Sequence, residues 1–358
     1  MIALSAVADL ERLVEDAHAS ELFSSPHLED DLARFFAGDA ERLRELARDA
    51  RASGIEQVYF VGSGGSWASM YSGKYLCDRL GGPAADVALS YELVWRAPRR
   101  LDSKALVFLA SYSGATEDTL AALRFARSRG ARTVALVNRA ETPIGDAADV
   151  TIAYGSPGLY CLPMAAVTAF ACEWAAAGGS REAAEIAERL SGLPALVGRA
   201  YRNGRDLGRD RAQTFAESDL VYCVGAGPLY GLAYKFGLTV FMENMRIHSS
   251  VIETAEFRHG PAEMLDRQAP DMAVLVGTDE SRAMSGRVLR LAGERGARTL
   301  VFDAADHDGL HPLLAPFVLK VDLQWFVVYS TLMRGIHDLD ERAFMGHQVL
   351  AEGGATWP

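Results

Sequence analysis

Hydroxyl side chains cluster directly after an apolar run in the first half of the chain. Residues 106–110 are apolar, and the sequence Ser-Tyr-Ser-Gly-Ala-Thr follows from position 111. An apolar run that leads into a helical pattern indicates a buried parallel strand joined to a helix, and open α/β sheets bind ligands at that strand end. Hydroxyls, backbone N–H groups and the helix dipole all favour a phosphate monoester there. The pattern predicts a phosphate site made of Ser111, Ser113, Thr116 and, from the preceding loop, Ser66.

Helix capping is the simpler interpretation of any one of these hydroxyls, because Ser and Thr commonly satisfy the first N–H groups of a helix. A cap accounts for one side chain, whereas several converge here from two neighbouring strand ends. Phosphate binding is therefore the favoured interpretation. Gly64, Gly65 and Tyr112 belong to the same two loops and are further candidate substrate contacts.

The second half carries a carboxylate and an imidazole that suit chemistry at a sugar carbonyl. Glu243 lies near the end of a helical pattern, and His259 stands in the sequence Glu-Phe-Arg-His-Gly-Pro. Such a pair can remove a carbon-bound proton and protonate a ring or leaving oxygen. Taken alone, Glu243 is more often a solvated helix residue and His259 a loop residue that forms hydrogen bonds. The two are the candidate catalytic residues, and Glu256 is a candidate substrate contact.

Two motifs occur twice, displaced by nearly the same distance along the chain. The sequence from Val58 to Gly64 returns from Val221 to Gly227, and Arg-Gly-Ala-Arg-Thr occurs at both 129–133 and 295–299. The common displacement predicts a duplicated unit. The second half has two carboxylates, at positions 279 and 280, where the first half has its hydroxyl loop, and like charge repels phosphate. Only the first unit is therefore expected to bind the anion.

Strand and helix patterns alternate in both halves. Apolar runs at 58–61, 105–110, 133–137, 220–224, 272–276 and 299–302 predict strands, and the segments between them predict helices. This alternation is typical of a parallel sheet with right-handed crossovers. We expect an α/β fold of two tandem doubly wound units, each a parallel sheet flanked by helices. The predicted divisions are N-terminal helices over 1–50, a first domain over 51–194, and a second domain with a C-terminal tail over 195–358.

Composition and charge limit the kinds of molecule that the protein is expected to bind. The chain has 358 residues, 49% of them hydrophobic, and a net charge of −11, which disfavours nucleic acid. The start of the chain lacks the pattern of a signal peptide, and Lys320, Asp322 and Gln324 interrupt the most apolar late segment, so no membrane partner is expected. Four scattered cysteines, two of them (Cys77 and Cys172) in helical patterns, fit reduced thiols and a cytoplasmic location.

At these residues the chain resembles the sugar isomerase (SIS) family of phosphosugar-binding proteins. The hydroxyl loop is similar to the family's Ser-x-Ser-Gly-x-Thr phosphate loop, and the second half is most similar to deglycases that act on phosphorylated Amadori compounds. The resemblance implies cleavage of a 6-phosphorylated fructosamine to glucose 6-phosphate and an amine or amino acid, without a cofactor or metal. It also implies that Glu243 is the acid/base residue and His259 the essential histidine. A homodimer or dimer of dimers with a shared active site is the expected assembly.

Two departures from the synthase members of the family keep other activities open. Phe236 stands where those members have a second helix glutamate, and their tail lysine has no counterpart near residues 344–347. One alternative is an aldose-ketose isomerase or deaminase of an amino-sugar phosphate. Another is a phosphosugar sensor without catalytic activity, in which Glu243 and His259 would be dispensable.

Overall fold

A computed structural model describes residues 4–21, 23 and 25–344 of the chain. The part of the predicted C-terminal tail from 345 to 358 lies outside these residues. The chain divides into two compact units. The earlier unit contains Asp30–Pro194, and the later unit combines the described residues before Asp30 with Ala195–Glu341.

Helices and strands alternate through both units. In chain order the helices are α1 (Leu4–Ala17), α2 (Leu28–Ala37), α3 (Asp39–Ala52), α4 (Gly65–Leu80), α5 (Ser90–Arg96), α6 (Glu117–Ser128), α7 (Pro143–Ala147), α8 (Cys161–Ala177), α9 (Arg181–Arg189), α10 (Leu193–Thr214), α11 (Tyr230–Tyr234), α12 (Phe241–Glu243), α13 (Arg282–Glu294) and α14 (Ala315–Met333). The strands are β1 (Gln57–Gly62), β2 (Ala84–Leu89), β3 (Ala105–Ser111), β4 (Arg132–Val137), β5 (Val150–Ala153), β6 (Leu220–Gly225), β7 (His248–Glu253), β8 (Asp271–Val276) and β9 (Thr299–Asp303).

The earlier unit is built on a five-stranded parallel sheet in the order β2-β1-β3-β4-β5. Every residue of β1 and β3 is buried, because helices cover both faces of a doubly wound sheet. The chain leaves β1 toward one edge of the sheet for β2 and then returns to the other side of β1 for β3. This reversal of strand order opens a crevice at the carboxyl ends of β1 and β3, where such folds bind ligands.

The later unit contains a four-stranded parallel sheet in the order β7-β6-β8-β9. This order matches that of the first four strands of the earlier unit. All six residues of β8 are buried, whereas β7, at the edge of the sheet, is mostly exposed or half-buried. The predicted α/β fold of two doubly wound parallel sheets is therefore confirmed.

The first helix packs in the later unit. Arg205 of α10 donates hydrogen bonds to Glu11 and Glu15 of α1, at 2.6 and 2.8 Å. Tyr329 of α14 donates to Glu11 at 3.1 Å. The predicted segment 1–50 is thus divided between the two units, because the acidic residues of α1 find their basic partner on α10.

Helix α14 forms the centre of the later unit. The segment Pro312–Met333 is long and apolar enough to cross a membrane by length and composition, but it is entirely buried inside the protein. Its polar side chains have partners there: Lys320 Nζ donates to Ser25 Oγ at 3.1 Å, and Asp322 Oδ2 lies 2.8 Å from His307 Nε2. Burial, rather than the three polar interruptions noted in the sequence, identifies this segment as a core helix.

The four cysteines are free and buried. This placement agrees with the prediction that Cys77 and Cys172 are core thiols. Burial raises the pKa of both Cys172 and Cys223 to about 12, which keeps these thiols protonated at neutral pH.

Candidate functional site

The predicted hydroxyl residues lie in two adjacent loops of the earlier unit. The loop after β1 leads into α4, and the loop after β3 leads into α6. Because β1 and β3 are paired in parallel, both loops lie at the carboxyl edge of the sheet, beside the crevice created by the reversed strand order. Two helices also begin there, so their unpaired N–H groups add positive potential to this edge.

The three hydroxyls of the second loop lie together. Ser111 Oγ and Thr116 Oγ1 are 2.8 Å apart, and Ser113 Oγ is 3.5 Å from Thr116 Oγ1. Ser111 Oγ accepts the Gly114 N–H at 3.1 Å, and Ser113 Oγ accepts the Ala115 N–H at 3.3 Å. Ser111 is buried and Ser113 is exposed, so the cluster extends from the end of the strand to the surface. The structure brings these three predicted residues together, while their role as phosphate ligands stays a prediction.

Gly114 gives the hydroxyl loop its tight turn. Its φ is +64°, in the left-handed region that favours glycine, and a Cβ at this position would lie 2.2 Å from Thr142 Oγ1. The Gly114 carbonyl accepts the Ile144 N–H at 2.9 Å, and the carbonyl of Tyr112 accepts the Asn138 N–H at 3.2 Å. The loop is therefore held against the segment after β4, and a side chain at Gly114 would displace it.

The first loop turns at Gly64, where φ is +53°. The Ser66 N–H donates to the Ser63 carbonyl at 3.1 Å, which closes the turn. Gly65 and Ser66 are the first two residues of α4, so their N–H groups belong to the helix end that attracts anions. Gly64, Gly65 and Ser66 thus occupy the predicted edge of the sheet beside the hydroxyl loop.

Two carboxylates follow Thr116 directly, and the sequence analysis gave them no role. Asp118 Oδ2 accepts a hydrogen bond from Ser63 Oγ in the neighbouring loop. Glu117 Oε1 accepts one from the Tyr91 hydroxyl of α5 at 2.7 Å, which raises the pKa of Tyr91 above its usual value. Asp118 therefore binds the loop after β1, and Glu117 binds α5, which directly follows β2. Their position in the first turn of a helix was visible in the sequence, but their partners were not.

The equivalent loop of the later unit is filled by its own side chains. Asp279 Oδ1 accepts hydrogen bonds from the N–H and hydroxyl of Ser281, at 3.0 and 2.5 Å. Arg282 forms two hydrogen bonds with Asp303, at 2.7 and 2.8 Å, and one with the Gly277 carbonyl at 2.9 Å. The N–H and hydroxyl groups of Ser281 thus have a carboxylate of the same loop as their acceptor.

The candidate catalytic residues lie at opposite ends of β7. Glu243 ends α12, five positions before the first residue of β7, and His259 follows six positions after the last. The two residues therefore lie in the segments that precede and follow this strand, and their presence in one site stays a prediction.

His259 is held at the end of a short turn. Glu253 Oε2, at the end of β7, accepts the N–H groups of Ala255 and Glu256 at 2.6 and 3.2 Å. The Glu256 carbonyl accepts the His259 N–H at 2.8 Å. Arg258 Nε donates to His259 Nε2 at 3.1 Å, so in this arrangement Nδ1 carries the imidazole proton and faces away from Arg258. Sequence reasoning missed Glu253 and Arg258 because only the folded turn gives them partners.

Glu243 follows an irregular helix. Between α11 and α12 the helix widens into a π-helical segment, Lys235–Val240, a feature often found at functional sites. Phe236 in this segment is fully buried and packs against Phe241. The position at which the synthase members of the family were expected to have a second glutamate is therefore a core position in this chain. Glu243 itself is half-buried.

The described residues contain no group of three His, Cys, Asp or Glu side chains that could hold a metal ion. The donors at the earlier unit's edge are hydroxyls and backbone N–H groups. Such donors suit a phosphate better than a metal ion, which needs acceptor ligands.

Known proteins resemble the chain along most of its length. The family described as the SIS domain matches residues 53–158, which include both loops of the earlier unit. The fructoselysine 6-phosphate deglycase of Escherichia coli O157:H7 is 30% identical over 336 residues, covering 93% of this chain and 98% of that protein. The fructosamine deglycase FrlB of Bacillus subtilis (strain 168) is 31% identical over 319 residues, covering 85% of this chain and 95% of that protein.

A solved structure shares the fold at lower identity. The C-terminal domain of the glucosamine-fructose-6-phosphate aminotransferase from Francisella tularensis superposes with a TM-score of 0.79, covering 89% of this chain and 98% of that one. At 19% identity this likeness concerns the fold alone.

Proposed function

The chain belongs to the SIS family, and from that premise we propose that it is a deglycase, which cleaves a 6-phosphorylated fructosamine into glucose 6-phosphate and an amine or amino acid. One observation carries the proposal. Two relatives named as deglycases align with 93% and 85% of this chain, and the alignments cover 98% and 95% of the relatives themselves. The loops that surround the crevice of the earlier unit supply the donors that a sugar phosphate requires.

The phosphate is the proposed handle of the substrate. Ser66, Ser111, Ser113 and Thr116 donate hydrogen bonds to its oxygens, together with the N–H groups that begin α4 and α6. The hydrogen bonds among Ser111, Ser113 and Thr116 rearrange when these hydroxyls donate to the phosphate oxygens. Binding energy gained at this remote group orients the reacting carbons several bonds away, which lowers the entropic part of the barrier.

Glu243 and His259 supply the proposed acid–base chemistry. His259 donates a proton to the ring oxygen while the C2 hydroxyl loses its proton to water, and the ring opens to the C2 ketone. Glu243 removes a proton from C1 as the C2 carbonyl oxygen gains one from water, giving an enaminol. A proton is then returned to C2 and the amine nitrogen releases its own, which leaves an imine between C1 and the nitrogen. Water adds at C1, the C1–N bond breaks as the nitrogen takes a proton, and the aldehyde of glucose 6-phosphate remains. Each acid–base step of this kind contributes about 10²–10⁴ in rate.

We place Glu243 and His259 in a site shared between two copies of the chain, as the resemblance to the SIS family implies. In this proposal Glu243 comes from one copy and His259 from the other, and a symmetric dimer completes two such sites. The exposed position of His259 and its immediate neighbours fits a residue that reaches into another copy.

A panel of 6-phosphofructosyl amino acids tests the proposed reaction. The purified protein is incubated with each compound, and glucose 6-phosphate is followed by a coupled dehydrogenase. Release of glucose 6-phosphate with one equivalent of amine is expected for at least one member. Turnover of only glucosamine 6-phosphate or fructose 6-phosphate would instead favour an isomerase or deaminase. Binding with full recovery of every compound would favour a sensor.

Mixing two inactive variants tests the shared site. Glu243→Gln and His259→Asn should each lose about 10²–10⁴ in turnover while they retain glucose 6-phosphate binding. When the two are unfolded and refolded together in equal amounts, half of the dimers contain one intact site, so about a quarter of the wild-type turnover should return. Glu294→Gln, an exposed residue at the end of α13, is the matched control and should keep full activity. No recovery on mixing would place both residues in a site of one chain, and full activity of Glu243→Gln would reject its role.

A further inference from the structure

The acidic residues that begin α6 connect it to the two segments that follow β1 and β2 at the carboxyl edge of the earlier sheet. Glu117 accepts a hydrogen bond from Tyr91, after β2, and Asp118 accepts one from Ser63, after β1. We propose that Asp118 is a positioning residue of the phosphate site, which holds the loop that carries Ser66 at the correct place beside the hydroxyl loop. This inference rests on the proposed phosphate-binding function.

A short chain of contacts leads from Asp118 to the predicted phosphate ligand. Asp118 Oδ2 accepts the Ser63 hydroxyl, and the Ser63 carbonyl accepts the Ser66 N–H at 3.1 Å. Because Gly64 and Gly65 separate these two serines, the turn has no side chain to fix it. The hydrogen bond to Asp118 therefore limits where Ser66 can lie.

The other end of the contact is anchored in the core. Asp118 Oδ1 accepts the N–H and hydroxyl of Thr119, at 2.7 and 3.3 Å. The Thr119 hydroxyl lies 3.0 Å from the hydroxyl of Ser90, which in turn lies 3.2 Å from Ser63 Oγ. Thr119 is 1% exposed and Ser90 is fully buried, so the four side chains form a closed ring on a rigid base.

The same geometry explains how a carboxylate can stand beside an anion site. Both oxygens of Asp118 are occupied by hydroxyl and N–H donors, and the start of α6 provides a favourable potential for negative charge. Its charge is thus compensated by donors of the loop after β1 and of the first turn of α6. Asp118 supports the site through another residue, and it is not proposed to touch the phosphate.

Binding of glucose 6-phosphate, measured by titration calorimetry, tests this inference without any turnover. Asp118→Ala and Ser63→Ala should each weaken binding about tenfold, since a lost hydrogen bond to a charged group costs at least about 1.4 kcal/mol. Asp118→Asn should stay within about threefold of wild type, because its amide can donate to Ser63 while its oxygen accepts the Thr119 N–H. The double variant Ser63→Ala with Asp118→Ala should be no weaker than either single variant, as expected for one shared contact.

Asp149→Ala is the matched control. Asp149 Oδ2 accepts the N–H and hydroxyl of Thr133, both at 2.8 Å, near the amino end of β4. This carboxylate has the same kind of partners at the opposite edge of the same sheet, so its loss should lower the melting temperature and leave the affinity unchanged.

Several results would overturn the inference. They are unchanged affinity in Asp118→Ala, equal weakening in Asp149→Ala, additive losses in the double variant, and an Asp118→Asn variant as weak as Asp118→Ala. Failure of the wild-type protein to bind glucose 6-phosphate would overturn the proposed phosphate site as well. Normal binding without release of glucose 6-phosphate from any fructosamine would overturn only the proposed reaction.

Discussion

The hydroxyl loop of the earlier unit and the equivalent loop of the later unit carry the same number of carboxylates. Glu117 and Asp118 follow the first loop, and Asp279 and Glu280 lie in the second. In the earlier unit the two acidic side chains bind Tyr91 of α5 and Ser63 of the loop after β1, outside the hydroxyl loop itself. In the later unit Asp279 turns back onto its own loop and accepts the donors that an anion would use.

The two loops therefore differ in which donors their carboxylates bind, and not in the number of carboxylates. The sequence analysis assigned phosphate to the earlier unit because two acidic residues in the later loop would repel it. Repulsion by acidic residues does not distinguish the two loops, since each has two acidic residues in it or directly after it. In the structure the two loops differ in another way, because Asp279 accepts the N–H and hydroxyl donors of Ser281 within its own loop.

Substitution of Gly114 should have the largest effect on the difference between the two loops. Gly114→Ala forces a left-handed residue and a Cβ that would lie 2.2 Å from Thr142 Oγ1, so we expect a loss of about 3 kcal/mol in unfolding free energy. Glucose 6-phosphate affinity should fall by more than about 100-fold, because the hydroxyls no longer converge. Chemical denaturation and calorimetry measure the two effects.

Gly130→Ala is the control for Gly114→Ala. Gly130 also has a positive φ, +82°, but the nearest neighbouring atom would be 3.7 Å from the added Cβ. It should lose only about 1 kcal/mol in stability and keep its affinity. Equal effects of the two substitutions would show that the contact with Thr142 does not shape the loop.

Removal of two hydroxyls should produce the next largest effect. Ser113→Ala combined with Thr116→Ala removes two donors without a change in backbone, and we expect KM for the phosphorylated substrate to rise about 10- to 100-fold with a smaller change in kcat. Steady-state kinetics on the best fructosamine of the panel measures both constants. An unchanged KM would mean that the phosphate binds elsewhere.

Removal of the internal acceptor of the later loop should have the smallest effect. Asp279→Ala leaves the Ser281 donors without their acceptor, and we expect a loss of about 1 kcal/mol in stability. KM should stay within about twofold of wild type, because this loop is not proposed to hold the substrate phosphate. A rise in KM equal to that of the Ser113 and Thr116 double variant would show that the later loop takes part in substrate binding.

The predicted strands were those with continuous apolar runs. β1, β3 and β8 are buried along their whole length, so an apolar run of the right length indicates them directly. Three strands at sheet edges, β2, β5 and β7, were not predicted, and most of their residues are exposed or half-buried. An edge strand is stabilised by pairing with its neighbour, and no local pattern records that pairing.

The same division applies to the candidate site. The sequence alone identified the hydroxyl loop, because its chemistry and its position after a strand are local properties, whereas the catalytic role of Glu243 and His259 was implied by the resemblance to the SIS family. The sequence also determined the alternating order of strands and helices that places the two phosphate loops at one sheet edge. Only the tertiary structure decided that Asp118 holds Ser63 and that Asp279 accepts the donors of Ser281 in its own loop. Those relations depend on the direction of side chains in the folded loops, which residue types and spacing do not encode.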